Sequence, residues 1–223
     1  MRKNKNLFFK MFALLMFYSL LFTIVPNKVV MAANLGTLSY WESDASDVSR
    51  WGATKSSVPT AIYLYNLYPN ATFYASNGIV EAVTQWNTAL GCSMTAYVAN
   101  ANQTASQLIF YYAGAPSYIN KLGIFPTVPD SYAGYTVNSS YNEGTWTYGS
   151  TTKTGSIITK SYGYIVDRAY SMAITENLFT HELGHALGWT GHSPTSTNVM
   201  YAVSSSNFTL TAADQRQLTQ VYK

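Results

Sequence analysis

Histidine is nearly absent from this sequence, with three in 223 residues, cysteine occurs once, and charged residues make up only 10%. Each shortage excludes something. The single thiol, Cys92, cannot close an internal disulfide, so stability must come from packing, with or without bound metal. Cys92 reads as a small buried residue rather than a catalytic thiol, because every histidine able to activate it lies elsewhere. Five of the 13 basic residues and none of the 10 acidic ones precede residue 33, so the remainder carries a net charge of −2. The sequence pI of 8.8 therefore belongs largely to the first 32 residues and gives no support to nucleic-acid or anionic-membrane binding. Carboxylates are also scarce late in the chain, where Asp214 alone follows Glu182.

The basic start is itself informative. Arg2, Lys3, Lys5 and Lys10 precede an apolar run from Met11 to Val25, closed by the small residues Ala32 and Ala33. This is the three-part layout of a secretory signal peptide, with an uncleaved anchor as the alternative. A run this short falls below the roughly 20 residues of a spanning helix. Residues 1–32 are expected to be the signal and 33–58 a polar lead-in. The remainder suits one domain with a sizeable core and contains no repeat.

Strands are expected at 61–68, 93–100, 107–114, 133–139 and 155–166, from aliphatic and aromatic runs. Loops are expected over the rest of 115–154, which is rich in Gly, Tyr, Ser and Asn. A helix is expected over 76–91, with Ile79, Val83, Trp86 and Leu90 on one face, Ser76 or Asn77 as cap and Gly91 as stop. A second helix spans 171–188 and stops at Gly188. A third follows Thr211, whose spacing to Asp214 suits a capping box, with Leu218, Val221 and Tyr222 as its buried stripe. Strands and helices do not alternate regularly, which argues for the α+β class.

All three histidines fall within HELGHALGWTGH, residues 181–192. His181 and His185 are four apart, about 40° around a helix, so both imidazoles can reach one ion. Glu182 lies to the side of that pair, placed to reach a metal-bound water instead of the metal. Zinc lowers the pKa of such a water to about 7, and a carboxylate beside it can take its proton. Catalytic zinc needs a third protein ligand. Asp214 reads better as a helix-start residue, which leaves His192, delivered by a turn after Gly188. A two-histidine site completed by water or another group is the alternative.

HELGHALGWTGH followed by NVMY (198–201) resembles the metzincin pattern H-E-x-x-H-x-x-G-x-x-H with a methionine turn, and within it the matrixins. His181, Glu182, His185, Gly188 and Met200 match directly, and NLFTHELGHALG and LTAADQRQLTQVY resemble the active-site and closing helices. The family's last histidine falls on Gly191, so His192 implies one inserted residue in the WTG turn. Its spacing to Met200 resembles that of matrixins.

The resemblance implies a metzincin-like fold over residues 59–223: a twisted, mostly parallel sheet of about five strands, three main helices, and a methionine turn after the active-site helix. It implies a secreted, monomeric zinc endopeptidase acting on protein or peptide substrates. His181, His185 and His192 would be ligands, Glu182 the general base, and Gly188 and Met200 structural support. Tyr201 is expected to pack and Tyr135–Ser139 to be a peptide-pairing edge. Calcium could bind in 115–154, where the acidic residues are Asp130 and Glu143. No cysteine switch is present. The competing reading is a non-catalytic, zinc-stabilised extracellular binding module derived from a metzincin.

Overall fold

The computed structural model describes residues 48–52, 55–99, 106–127, 129–148, 151–189 and 191–222. The expected signal segment and most of the lead-in lie outside the described residues. Among the described residues, no helix is long and apolar enough to cross a membrane.

Among the described residues, six strands form one sheet: β1 (Val48–Trp51), β2 (Ala61–Asn66), β3 (Thr95–Ala99), β4 (Leu108–Ala113), β5 (Gly134–Tyr148) and β6 (Thr151–Val166). Four described α-helices accompany it: α1 (Thr72–Leu90), the short α2 (Pro116–Asn120), α3 (Met172–Ala186) and α4 (Ala212–Val221). The mixed class, the mostly parallel sheet and the three main helices agree with expectation. Strands β3, β2, β4 and β6 run side by side in parallel. Strand β6 is long enough to hold β1 and β4 in succession along one edge, while β5 runs antiparallel along the other. Strand β4 (LIFYYA) is buried at every position, as a central parallel strand covered on both faces should be.

The main core lies between the sheet and helices α1, α3 and α4, and includes Trp86, Phe179, Leu183 and Met200. The opposite face carries a tyrosine row in register, Tyr65, Tyr111 and Tyr164, covered by Ile119 and Phe125.

Three expectations need correction. Helix α1 begins at Thr72, not at a Ser76 or Asn77 cap; the Asn77 amide donates to the Phe73 carbonyl inside the helix. The expected stop holds, since Gly91 adopts φ 65°. The strand expected at 133–139 is present, but residues 140–148 and 151–154, expected as loop, continue it as a hairpin, paired from Gly134↔Ile165 to Tyr148↔Thr151. Its Thr, Trp and Tyr residues favour strands, and their alternation outweighs the Asn and Gly between them. Finally, the packed body reaches into the expected lead-in. Strand β1 pairs with β6, and Trp51 is 1% exposed.

Strand β1 also ties two helix ends together. Trp51 Nε1 donates to the Ala186 carbonyl at 2.9 Å, and Arg50 Nη1 donates to the Val221 carbonyl at 2.8 Å. The Tyr222 hydroxyl accepts from the Trp51 backbone N–H and donates to the Leu187 carbonyl at 2.6 Å. Carbonyls at the end of α3, which lack helical partners, are satisfied in this way.

Helices α1 and α3 pack closely at Gly78. A Cβ there would stand 2.4 Å from Phe179 Cδ2, and that ring is buried between Phe110 and Tyr112. Alanine normally favours a helix over glycine by about 1 kcal/mol, but overpacking costs about 1–3 kcal/mol. Gly78→Ala is therefore expected to lower stability in urea unfolding. A gain in stability would show that the helices separate freely at this contact.

Candidate metal centre and cleft

Helix α3 is built to present its histidines. Ser171 caps it, accepting from the Ile174 N–H, and the helix ends at Ala186. Gly188 then turns the chain with φ 106°, and a Cβ there would stand 2.1 Å from the Ser49 carbonyl oxygen. Only glycine satisfies both the backbone angle and the contact with β1.

His181, His185 and His192 come together, with one ligand atom from each lying within 4.8 Å of the others. His181 is buried, His185 partly buried, and His192 exposed. The His192 ring lies nearly parallel to that of His181, with centroids 5.3 Å apart, and across that of His185 at 5.1 Å.

The hydrogen bonds define the donor set. His181 Nδ1 lies 2.8 Å from the Val199 carbonyl, and His185 Nδ1 lies 2.9 Å from the Trp189 carbonyl. A carbonyl only accepts, so both Nδ1 atoms carry protons and both Nε2 atoms of the neutral rings carry lone pairs. Those Nε2 atoms face each other at 3.0 Å. Two nitrogens in a tetrahedral zinc shell stand about 3.4 Å apart at ordinary Zn–N lengths. The three imidazoles could thus hold a metal ion, and their chemistry suits zinc. Burial lowers the His181 pKa to about 4, against the opposing pull of the Val199 carbonyl. Burial, followed by the neighbouring His181, holds His185 well below its usual value. Both effects keep the rings neutral, the form that binds metal.

Glu182 is buried beside them, and burial raises its pKa to about 8, opposed by a hydrogen bond from Thr136. Thr136 Oγ1 lies 2.7 Å from Glu182 Oε2. The three histidines, Glu182 and Gly188 line a cleft of about 890 Å³, together with Tyr135, Thr136, Asn138 and Tyr201. A bounded cleft with convergent ligands and a buried carboxyl suits metal-assisted hydrolysis of a carbonyl compound.

Met200 is fully buried below α3, and a Cβ on Gly184 would stand 2.7 Å from its sulfur. The methionine turn is fixed from beneath by Asp214. Its carboxylate accepts from the Val199 and Met200 backbone N–H groups at 3.1 and 3.0 Å. It also closes the expected capping box with Thr211. The Asp214 carbonyl accepts from Trp189 Nε1 at 2.8 Å, so one residue anchors both sides of the histidine loop.

The family model for matrixin matches residues 130–223. Residues 130–223 are thus similar to the matrixin catalytic domain. No curated protein matches the chain. The matched part contains β5, β6, α3, the histidine loop and α4.

Sequence reasoning named the histidines, Glu182, Gly188 and Met200. It missed the grip of Asp214 on the turn, and the contacts of Gly134, Thr136 and Asn138 with α3. The signal for the last three was their spacing of two along a strand. Cys92 is half-buried, and burial raises its thiol pKa, which disfavours the reactive thiolate. Among the described residues, the group able to hold a metal is the histidine trio. The backbone carbonyl of Asp130, a residue considered for calcium, accepts from Arg168, and the Glu143 side chain lies outside the described residues.

Asp214→Asn would turn an NH2 group toward backbone donors in a buried site. The expected loss is about 1–3 kcal/mol in urea unfolding and about 10-fold or more in zinc affinity, measured by chelator competition. Unchanged zinc affinity would mean that the turn holds His181 without this carboxylate.

Proposed function

We propose that this protein is a secreted zinc endopeptidase. The observation that carries the reading is the pair of Nε2 lone pairs at 3.0 Å, each fixed by a backbone carbonyl on its Nδ1 and joined by His192. The matrixin match supports the same class of chemistry. His181, His185 and His192 would hold the zinc. When bound, the metal supplies Lewis acidity, lowering the pKa of a coordinated water and polarising the scissile carbonyl.

Glu182 acts as the general base. The charge of a bound zinc ion would favour the ionised form of Glu182 against the effect of burial, so that it accepts the water proton at its carboxylate and returns it to the leaving amine. Burial in the cleft keeps bulk water from competing for that carboxylate. Met200 forms an apolar floor beneath the ligands, and Gly188 allows the turn that brings His192 round. Strand β5 lies beside the cleft, and its edge away from β6 suits main-chain pairing with an extended peptide. Export by the N-terminal segment would deliver the enzyme to extracellular protein substrates. A purely structural zinc site has no need of Glu182, which weighs against the binding-module reading.

Glu182→Gln is expected to abolish casein cleavage while zinc content stays at one per chain. His192→Ala is expected to lose both zinc and activity, and a chelator should silence the wild type reversibly. Normal turnover by Glu182→Gln would refute the mechanism. Full zinc and activity in His192→Ala would refute the third ligand.

A further inference from the structure

We infer that Thr136 is a positioning residue for Glu182, holding one carboxylate oxygen so that the other is presented to the cleft. The inference rests on the hydrolytic reading above. It comes from how strand β5 meets helix α3. Residues 134, 136 and 138 alternate along β5, and each of them touches the helix. At Gly134 a Cβ would stand 2.7 Å from Glu182 Oε1, so the missing side chain makes room for the carboxylate. Thr136 Oγ1 lies 2.7 Å from Glu182 Oε2 and 3.0 Å from the Glu182 backbone carbonyl. Asn138 Nδ2 donates to the His185 carbonyl at 3.0 Å, fixing strand to helix one turn further on.

The Glu182 carbonyl lies inside α3, where the helix supplies it with an N–H partner four residues later. The carboxylate has no such intrinsic partner, so it is the acceptor that gains most from the hydroxyl. A glutamate side chain has three rotatable bonds, and burial alone does not choose its terminal rotation. A short hydrogen bond to Oε2 does choose it, and assigns Oε1 to the proton taken up in the reaction. With the proton on Oε1, Oε2 remains an acceptor, so the contact with the hydroxyl survives proton uptake. Threonine also has restricted χ1 freedom on a strand, so the hydroxyl is itself pre-positioned.

Thr136→Val removes the hydroxyl at nearly constant volume, and Thr136→Ser keeps it. Thr136→Ala serves in place of valine if the valine variant does not fold. With zinc-loaded protein, Thr136→Val is expected to lower kcat by about 10- to 100-fold, with KM and zinc content unchanged. Thr136→Ser should stay within about 3-fold of wild type, a rescue that a packing role for the methyl group would not give. Crystal structures of the zinc-loaded proteins should show one Glu182 carboxylate orientation in wild type and Thr136→Ser, and a rotated or divided one in Thr136→Val. An unchanged kcat, or an unchanged carboxylate orientation, in Thr136→Val overturns the inference. If the wild type cleaves no peptide, the hydrolytic reading fails, and the carboxylate orientations alone decide whether Thr136 positions Glu182.

Discussion

Two imidazole lone pairs pointed at each other across 3.0 Å repel unless a cation lies between them. Much of this domain serves to keep them there. The helix sets the azimuth of His181 and His185, but it cannot set their tautomers. Those depend on the carbonyls of Val199 and Trp189, which lie in a loop and not in a helix. A loop carbonyl is a reliable acceptor only if the loop is rigid. Asp214 supplies that rigidity from α4, and β1 supplies it at the end of α3 through Trp51 and Tyr222. The two elements farthest apart in the described chain thus stabilise the same few atoms.

The same anchoring explains how the loop takes an additional residue. Trp189 is pinned by its indole to the Asp214 carbonyl and by its own backbone N–H to the Gly184 carbonyl. On the far side, Ser193 donates its N–H to the Met200 carbonyl, and its hydroxyl accepts from Asn198. Three residues lie between these anchors, among them Gly191 with φ 76°. A lengthened turn held at both ends changes conformation only between the anchors. His192 can then meet the other two histidines although Gly191 stands in the position that the family pattern gives to histidine.

The site was largely legible because its information is local. A four-residue spacing, a glycine stop and a capping box each lie within one stretch of chain, and helical periodicity converts them into geometry. The fold class followed from the same periodicities. What escaped the sequence is non-local or depends on competition. The strands expected at 133–139 and 155–166 lie on β5 and β6, but the outer part of that hairpin reads as loop when Asn and Gly content is weighed above the alternation of Thr, Trp and Tyr. The start of α1 was misplaced because Asn77 resembles a cap, whereas its amide bonds back to Phe73 within the helix. Asp214 was seen as a cap, but its hold on Val199 and Met200 spans a sequence separation that no local rule reaches.

Strand β5 shows why the cleft and the base cannot be treated as separate parts. Among the described residues it pairs with β6 along one edge, and three alternate residues of its first half meet α3. Its backbone runs along the cleft, where Gly134, Tyr135, Thr136 and Asn138 all contribute to the wall. A peptide that paired with this strand would pull on the same backbone that positions Gly134 and Thr136 against Glu182. A displacement of that backbone would move Gly134 and Thr136 relative to the carboxylate they contact. The antiparallel ladder to β6 resists it, with each pair on the β6 side opposing the load applied from the cleft side. The length of that ladder, from residue 134 to residue 148, thus acquires a mechanical reason: it holds still the strand against which both substrate and base would be aligned.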